Sequence, residues 1–274
     1  MAFKLPPRTP GQYRIGHYGW KPDLPDHRDF TYAVPHATAA KLPPKVDLRP
    51  TCPPVYDQGQ IGSCTANAIA GAIEFEQIKQ KLAEFTPARL FIYYNERVAE
   101  GTAPSVDSGA QIRDGIKSVA SLGVCKETSW PYSDANNNGN PCPKCQYAIK
   151  PTAACYKEAL QHKVKAYQRL DNTNLNTLKG CLASGYPFVY GFTVYESFEG
   201  DAVAKSGIVP MPKSGEKVVG GHAVCCVGYD DSKQLFIVRN SWGTGWGLKG
   251  YFMMPYTYMT SSNLADDFWT IQLL

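Results

Sequence analysis

The sequence predicts an α+β fold: a helical lobe, then an antiparallel β lobe, with a cleft between them. Three observations predict it. Apolar residues recur at helical spacing in the first half, where Ile69/Ile73 and Ala68/Ala72 are i,i+4 pairs. Short β-branched and aromatic runs bounded by Gly, Asp and Asn fill the second half. The chain has 274 residues, 43% hydrophobic and 19% charged, which suits one large domain or two lobes sharing an interface. Such a chain buries enough core not to need disulfides merely to fold.

Residues 1–40 read as an extended arm. In "GWKPDLPDHRDFTY" prolines repeatedly bar a helix. The remainder, 41–274, reads as one two-lobed domain, helical mainly over 60–160 and β mainly over 161–274. "LPPKVDLRPTCPPVYDQG" continues extended, and a long helix is expected from Thr65 to about Lys81. "ARLFIYYNERVA" is a second helix, and "GAQIRDGIKSVASLG" a third, with Gly123 as its stop. "SDANNNGNPCPKCQYAIKP", 133–151, is a turn-rich surface loop. "YPFVYGFTVY", "GHAVCCVGYDD", "QLFIVRNSW" and "GYFMMPY" are the strands of an antiparallel sheet or barrel.

Several functions start weak. The net charge is +4, with no dense Lys/Arg block, so neither nucleic acid nor a membrane surface is an expected partner. No apolar run reaches the roughly 18 residues of a membrane span. The N-terminus lacks the apolar core of a secretory signal. A protein without a signal, cytoplasmic or exported by another route, is the expectation. Nine cysteines would suit an oxidising compartment, which pulls the other way.

Candidate chemistry begins at "DQGQIGSC". Cys64 stands where a helix starts, and unpaired amides and the helix dipole there favour a thiolate. A thiolate nucleophile needs a base. Of the five histidines, His222 in "GGHAVCCVGY" begins a strand behind Gly220 and Gly221, which leave room around the ring. Asn240, in "RNSWGTGWG", can accept the other imidazole N–H and orient the ring. Trp242 can cover that hydrogen bond from water. Gln58 can supply an amide N–H, with the Cys64 backbone N–H, to an oxyanion. His17, His27 and His36 fall in the arm and read as solvated or packed residues. Trp246 reads as packing. Cys225 and Cys226 face opposite sides of one strand, so one of them is expected in the core.

The blocks "QGQIGSC", "GGHAVCCVGY" and "NSWGTGWGLKGY" resemble, in order and approximate spacing, the signature blocks of the papain and cathepsin cysteine peptidases. "VDLRP", "VASLGVCKETSWPY" and "YPFVYGF" fit around them, so the resemblance spans roughly 42–274. It implies the papain-like two-lobe fold, with Cys64 as nucleophile, His222 as acid and base, Asn240 as orienter and Gln58 as oxyanion donor. It also implies Gly109, Gly221 and Trp242 on the substrate side, with no metal and no cofactor. Protein or peptide substrates and a monomer follow.

Departures stand beside the likeness. The family signature C-G-[SA]-C-[WY] reads here Ile61-Gly62-Ser63-Cys64-Thr65. Ile61 removes a common disulfide partner, and Thr65 replaces an aromatic residue. With Cys52-Pro53-Pro54, these features resemble the prokaryotic branch. The family's helical inhibitory pro-region is longer than this arm. The arm is therefore expected to pack on the lobes and cover part of the cleft, or else to be a passive belt. Cys142, Cys145, Cys155 and His162 form a C-x2-C-x9-C-x6-H set; a loop disulfide is expected ahead of zinc or free thiols. The loop occupies about the position where cathepsin B-like enzymes insert a chain-end-trimming loop, but its paired histidines are absent, which favours endopeptidase action. A catalytically silent papain-fold binding protein and a thioester-using acyltransferase are the competing readings.

Overall fold

The computed structural model describes residues 18–39 and 41–273. His17 and the preceding part of the arm lie outside the described residues. From Tyr18 the arm runs extended, apart from a turn at residues 27–28 and a four-residue helix α1 at His36–Ala39. Pro35 precedes that turn and its carbonyl accepts the Thr38 and Ala39 amides. A proline is tolerated there because the first amides of a helix have no partner within it.

The helical half carries α2 (Cys64–Lys79), α3 (Arg89–Ala99) and α4 (Ile112–Ser121), with α5 (Ala153–Ala159) after the loop. Helix α2 is buried on every side from Cys64 to Gln77. Its sequence explains this: Ala66, Ala68, Ile69, Ala70, Ala72, Ile73 and Phe75 leave no polar face, which marks a central helix. The helix ends at Lys79, two residues before the expected Lys81, because Lys81 takes φ +55° and leaves the helix.

The β half holds one antiparallel sheet. Its strands are β1 (Lys45–Asp47), β2 (Ala166–Arg169), β3 (Phe188–Tyr195), β4 (Val218–Asp230), β5 (Leu235–Arg239), β6 (Tyr251–Pro255) and β7 (Ala265–Gln272). The order is β2-β7-β3-β4-β5-β6, and β1 pairs with β4. Strand alternation separates two cores. Val189, Ala223, Cys225 and Val227 face the helices. Phe188, Tyr190, Phe192, Val224 and Cys226 face an aromatic core with Phe198, Phe236, Trp242, Trp246 and Phe252. Cys225 and Cys226 do point to opposite faces, but both are buried, because both faces of β4 are covered. Strands β1, β2 and β7 and the helix α6 (Leu175–Ala183) were not expected from periodicity.

Residues 133–151 are irregular except for a short turn of helix at Gln146–Ala148. Cys142 and Cys145 form a disulfide there. The metal alternative finds no gathered ligands: the Cys155 thiol donates to the Ser129 carbonyl, and the His162 ring packs on Phe85. The other seven cysteines are free.

Candidate active site

Cys64 is the first residue of α2. The loop before it is held by Asp107, whose two carboxylate oxygens accept the Gly62 amide, both at 3.0 Å, and take the Tyr93 hydroxyl. Thr65, in place of an aromatic, turns inward and donates to Glu96 at 2.7 Å. Ile61 is fully buried. Both departures from the signature are therefore packed into the helical lobe.

His222 lies near the middle of β4, opposite Phe192 of β3. Its ring meets Trp242 at 5.1 Å, Phe192 at 5.8 Å and Tyr18 at 6.1 Å between centroids. Asn240 follows β5, and its Oδ1 lies 2.8 Å from His222 Nε2. The Ser241 backbone amide donates to that same oxygen at 2.8 Å. A backbone N–H only donates, so the atom facing it is the amide oxygen, and His222 Nε2 must carry the proton it gives. The neutral ring then leaves Nδ1 as an acceptor, and Nδ1 is buried with no partner among the described residues.

Gln58 is completely buried. Its Oε1 accepts from Ser241 Oγ at 2.6 Å, and its Nε2 donates to the Ile61 carbonyl at 3.1 Å. The Tyr132 hydroxyl donates to its backbone carbonyl at 2.7 Å. The structure thus gathers Cys64, Gln58, His222, Asn240 and Trp242 around the start of α2 and the adjoining strands. Trp242 is buried and sits over the His222 ring, edge-on to Trp246 at 5.0 Å.

The arm crosses this site. Trp20 N–H donates to the Gly221 carbonyl at 3.0 Å, Lys21 N–H to the Ala110 carbonyl at 3.1 Å, and Ala110 N–H to the Gly19 carbonyl at 2.7 Å. One segment is thereby paired to both lobes. Three such bonds, each worth about 1 kcal/mol net, stabilise docking by about 3 kcal/mol. In that stretch the backbone pairing runs through Ala110. Gly109 contributes differently: at φ +67°, a Cβ on it would stand 2.1 Å from the Gly19 carbonyl oxygen. Gly19 itself has no room for a side chain, since its Cβ would meet the Gly62 carbonyl oxygen at 1.7 Å. Tyr18 lies against Gly220 and donates to Glu199 at 2.6 Å.

Burial sets the charge state. It pushes the Cys64 thiol up to about 12, against backbone hydrogen bonds from Ala223 and Gly19 that favour the thiolate. It pulls His222 down to about 4, although the Asn240 hydrogen bond works the other way. With the arm in place, burial thus favours the neutral thiol and the neutral imidazole. Cys64 and His222 are both fully buried.

Sequence reasoning did not find Tyr18, Trp20, Tyr132 or Asp267. The doublet Gly220-Gly221 was a signal for the first two, because backbone without Cβ marks close approach by another segment.

A family profile described as Papain family cysteine protease matches residues 42–270. An uncharacterised peptidase C1-like protein of Acanthamoeba polyphaga mimivirus is 44% identical over 93% of this chain and 86% of its own length. A cathepsin B-like protein of Giardia intestinalis is 30% identical over 80% of this chain and 72% of its own. Among solved structures, xylellain, a cysteine protease from Xylella fastidiosa, matches with a TM-score of 0.89 at 48% identity, covering 99% of this chain and 100% of that one. A match over most of the chain, joined to this site geometry, makes the chain a member of the papain family of cysteine proteases, hydrolases of peptide bonds.

Proposed function

We propose that this protein is a cysteine endopeptidase acting through Cys64, His222, Asn240 and Gln58, and that residues 18–24 of its arm hold it inactive. The observation that carries the reading is the His222–Asn240 hydrogen bond at 2.8 Å, with Nδ1 left without a partner among the described residues and the Cys64 sulfur against Ala223, the next residue along β4.

The reaction follows from the proton positions. The Cys64 proton passes to His222 Nδ1, and the sulfur attacks the peptide carbonyl carbon. The carbonyl oxygen gains negative charge, which the Cys64 backbone N–H and the second N–H of Gln58 Nε2 stabilise; the first N–H is taken by Ile61. His222 returns the proton to the departing amine as the C–N bond breaks, leaving a thioester. Water, deprotonated by His222, hydrolyses the thioester and frees the thiol. Asn240 keeps the ring in the tautomer that this cycle needs. Endopeptidase action is supported by the loop at 133–151, which contains no histidine to bind a chain end.

Inhibition by the arm is supported by the complete burial of Cys64 and His222 and by Gly19 seated between Gly62 and Gly109. The experiment is an intact-mass titration of the full chain with a peptidyl epoxide that alkylates activated thiols. Gly19→Ala, which cannot seat the arm, is expected to react at Cys64 at least tenfold faster than the wild type. His222→Ala in that background is expected to give no adduct. Equal rates for wild type and Gly19→Ala would reject inhibition by the arm. Failure of both to react would favour a catalytically silent relative.

A further inference from the structure

The two oxyanion donors, the Cys64 N–H and the Gln58 amide, share a frame built around a buried cation. Arg89 opens α3 and is 8% exposed. Glu127 holds one edge of its guanidinium: Oε2 accepts Nε–H at 2.9 Å and Oε1 accepts Nη2–H. The Tyr132 ring centre lies 3.8 Å from its Cζ, and that of Tyr56 4.8 Å. Nη1 donates to the Asp57 carbonyl at 3.3 Å and to Asn67 Oδ1 at 3.1 Å. A planar fork with five donors and no acceptor holds several groups in one fixed geometry.

The direction of each following bond is set from there. Arg89 only donates, so the Asn67 oxygen faces it and the Asn67 nitrogen faces Ser63. Asn67 Nδ2 donates to the Ser63 carbonyl at 2.9 Å and to Ser63 Oγ at 3.0 Å. Ser63 Oγ lies 2.7 Å from the Tyr132 hydroxyl, whose own proton goes to the Gln58 carbonyl at 2.7 Å. Ser63 is therefore the donor to Tyr132. A line of donors runs from Arg89 through Asn67, Ser63 and Tyr132 to Gln58, and bonds in such a line polarise one another. It reaches both oxyanion donors. A peptide unit is planar, so holding its carbonyl fixes the direction of its N–H. The Ser63 carbonyl shares its unit with the Cys64 N–H. The Asp57 and Gln58 carbonyls belong to the units on either side of the Gln58 Cα.

We infer that Arg89 is a positioning residue for the oxyanion hole, aligning the Cys64 N–H through Asn67 and the Gln58 side chain through the Asp57 and Gln58 carbonyls. The inference rests on the reading of Cys64 and Gln58 as the oxyanion donors. Arg89 acts on the loop that carries the donors rather than on the sulfur. Its effect therefore falls on steps in which a carbonyl oxygen takes up negative charge, and not on formation of the thiolate.

The test compares two reactions of one sulfur, in the full chain carrying Gly19→Ala so that the arm does not cover the site. Hydrolysis of a peptide amide passes through an oxyanion. Alkylation of Cys64 by iodoacetamide is a displacement at saturated carbon: the C–S bond forms, iodide leaves, and no carbonyl oxygen gains charge. Arg89→Lys keeps a cation for Glu127 and loses the fork. Tyr132→Phe keeps the ring against Arg89 and loses the hydroxyl at the end of the line. Arg89→Lys is expected to lower kcat about tenfold or more, and Tyr132→Phe about threefold to tenfold, with KM and the alkylation rate within about twofold of the parent. Because both residues lie on one line, the double variant is expected to lose little beyond Arg89→Lys alone. Tyr132→Phe removes a single oxygen, so it carries the test even where Arg89→Lys does not fold. Gln58→Ala is measured beside them.

Alkylation that falls in step with kcat, or losses that multiply in the double variant, would mean that Arg89 only supports the helical lobe, and overturns the inference. Unchanged kcat in both single variants, beside a slow Gln58→Ala, also overturns it and leaves the oxyanion reading standing. Unchanged kcat in Gln58→Ala overturns that reading and the inference with it.

Discussion

Asn240 Oδ1 accepts two hydrogen bonds at 2.8 Å, one from His222 Nε2 and one from the Ser241 amide. The backbone donor fixes which end of the Asn240 amide faces His222, and the amide in turn fixes the tautomer of the ring. The proton count at the site therefore begins from a main-chain N–H whose direction is set by the chain leaving β5.

Asn240→Ala removes the hydrogen bond that raises the His222 pKa. The imidazolium then loses its proton at lower pH, so the alkaline limb of kcat/KM is expected to move to lower pH. Measured in a Gly19→Ala background, where the arm does not cover the site, the profile should shift while the acid limb, set by Cys64, moves less. An unshifted alkaline limb would rule out the orienting role.

Gln58→Ala should cost on the order of 3 kcal/mol in the transition state, a factor of 100 or more in kcat. Ser241→Ala should cost less, because Ser241 Oγ only orients the amide through Gln58 Oε1, at 2.6 Å. Steady-state kinetics of both variants checks the order. A Ser241→Ala variant slower than Gln58→Ala would place the donor elsewhere.

Cys64→Ala should abolish peptide hydrolysis and the epoxide adduct while leaving the fold intact. Cys64 is fully buried, and its replacement by Ala removes one sulfur atom, whose contacts are the Ala223 and Gly19 backbone, and leaves the helix backbone in place. The checks are thermal melting and intact mass: residual turnover, or a melting point lowered by more than about 8 °C, equivalent to roughly 2 kcal/mol or more in a domain of this size, would contradict it.

The site was legible where its residues sit in local motifs and obscure where tertiary packing decides. Cys64, Gln58 and His222 are each flanked by glycine or by a helix start, and Asn240 directly follows a β-branched run and precedes Ser241-Trp242-Gly243; each of those motifs constrains the backbone in a recognisable way. Helix α2 was legible as a helix, but not as a helix buried on every side, because small residues such as Ala68 and Ala72 do not announce which face they cover. Strand β7 escaped because "ADDFWTIQ" carries two aspartates right after its first residue. Asp267 is tolerable there because Arg169, Trp20 and the Asp23 amide surround it. Those partners lie about 100 and about 245 residues away, beyond any local pattern. The arm's extended form was readable from its prolines. Its seat was not, since Asp23 caps the start of α4 through the Arg113 amide at 3.1 Å and Asp29 pairs with the Arg113 side chain at 3.0 Å.

The arm's two anchor points respond to acid in opposite directions. Docking buries His222 and pulls it down to about 4, against an ordinary value of about 6.5. The docked state therefore binds fewer protons than the open one in that window, and this term weakens docking as pH falls from about 6.5 to 4. Docking also buries Asp267, which rises to about 7, chiefly by burial and then by the Asp23 charge beside it; burial raises Asp23 too. A raised carboxylate binds a proton in the docked state that it releases in the open one, so this term strengthens docking as pH falls through about 7. Arg169, Arg113, Asp266 and Asp29 face the same joint, and the two arginines limit the rise without cancelling it. In the wild type the terms oppose each other, and docking should change little between pH 4.5 and 6.5. Asp267→Asn removes one carboxylate and leaves Asp23 with Trp269 N–H at 2.9 Å and the Arg113 amide at 3.1 Å, donors that favour its ionised form. The His222 term is then opposed only by Asp23, whose rise those donors limit, and docking should weaken as pH falls, by less than the roughly tenfold per pH unit of one whole proton. Protection of the Ala110 amide against pH, corrected for intrinsic exchange, measures it. A wild-type curve as steep as that of the variant would mean that the carboxylates at the joint hold no proton on docking.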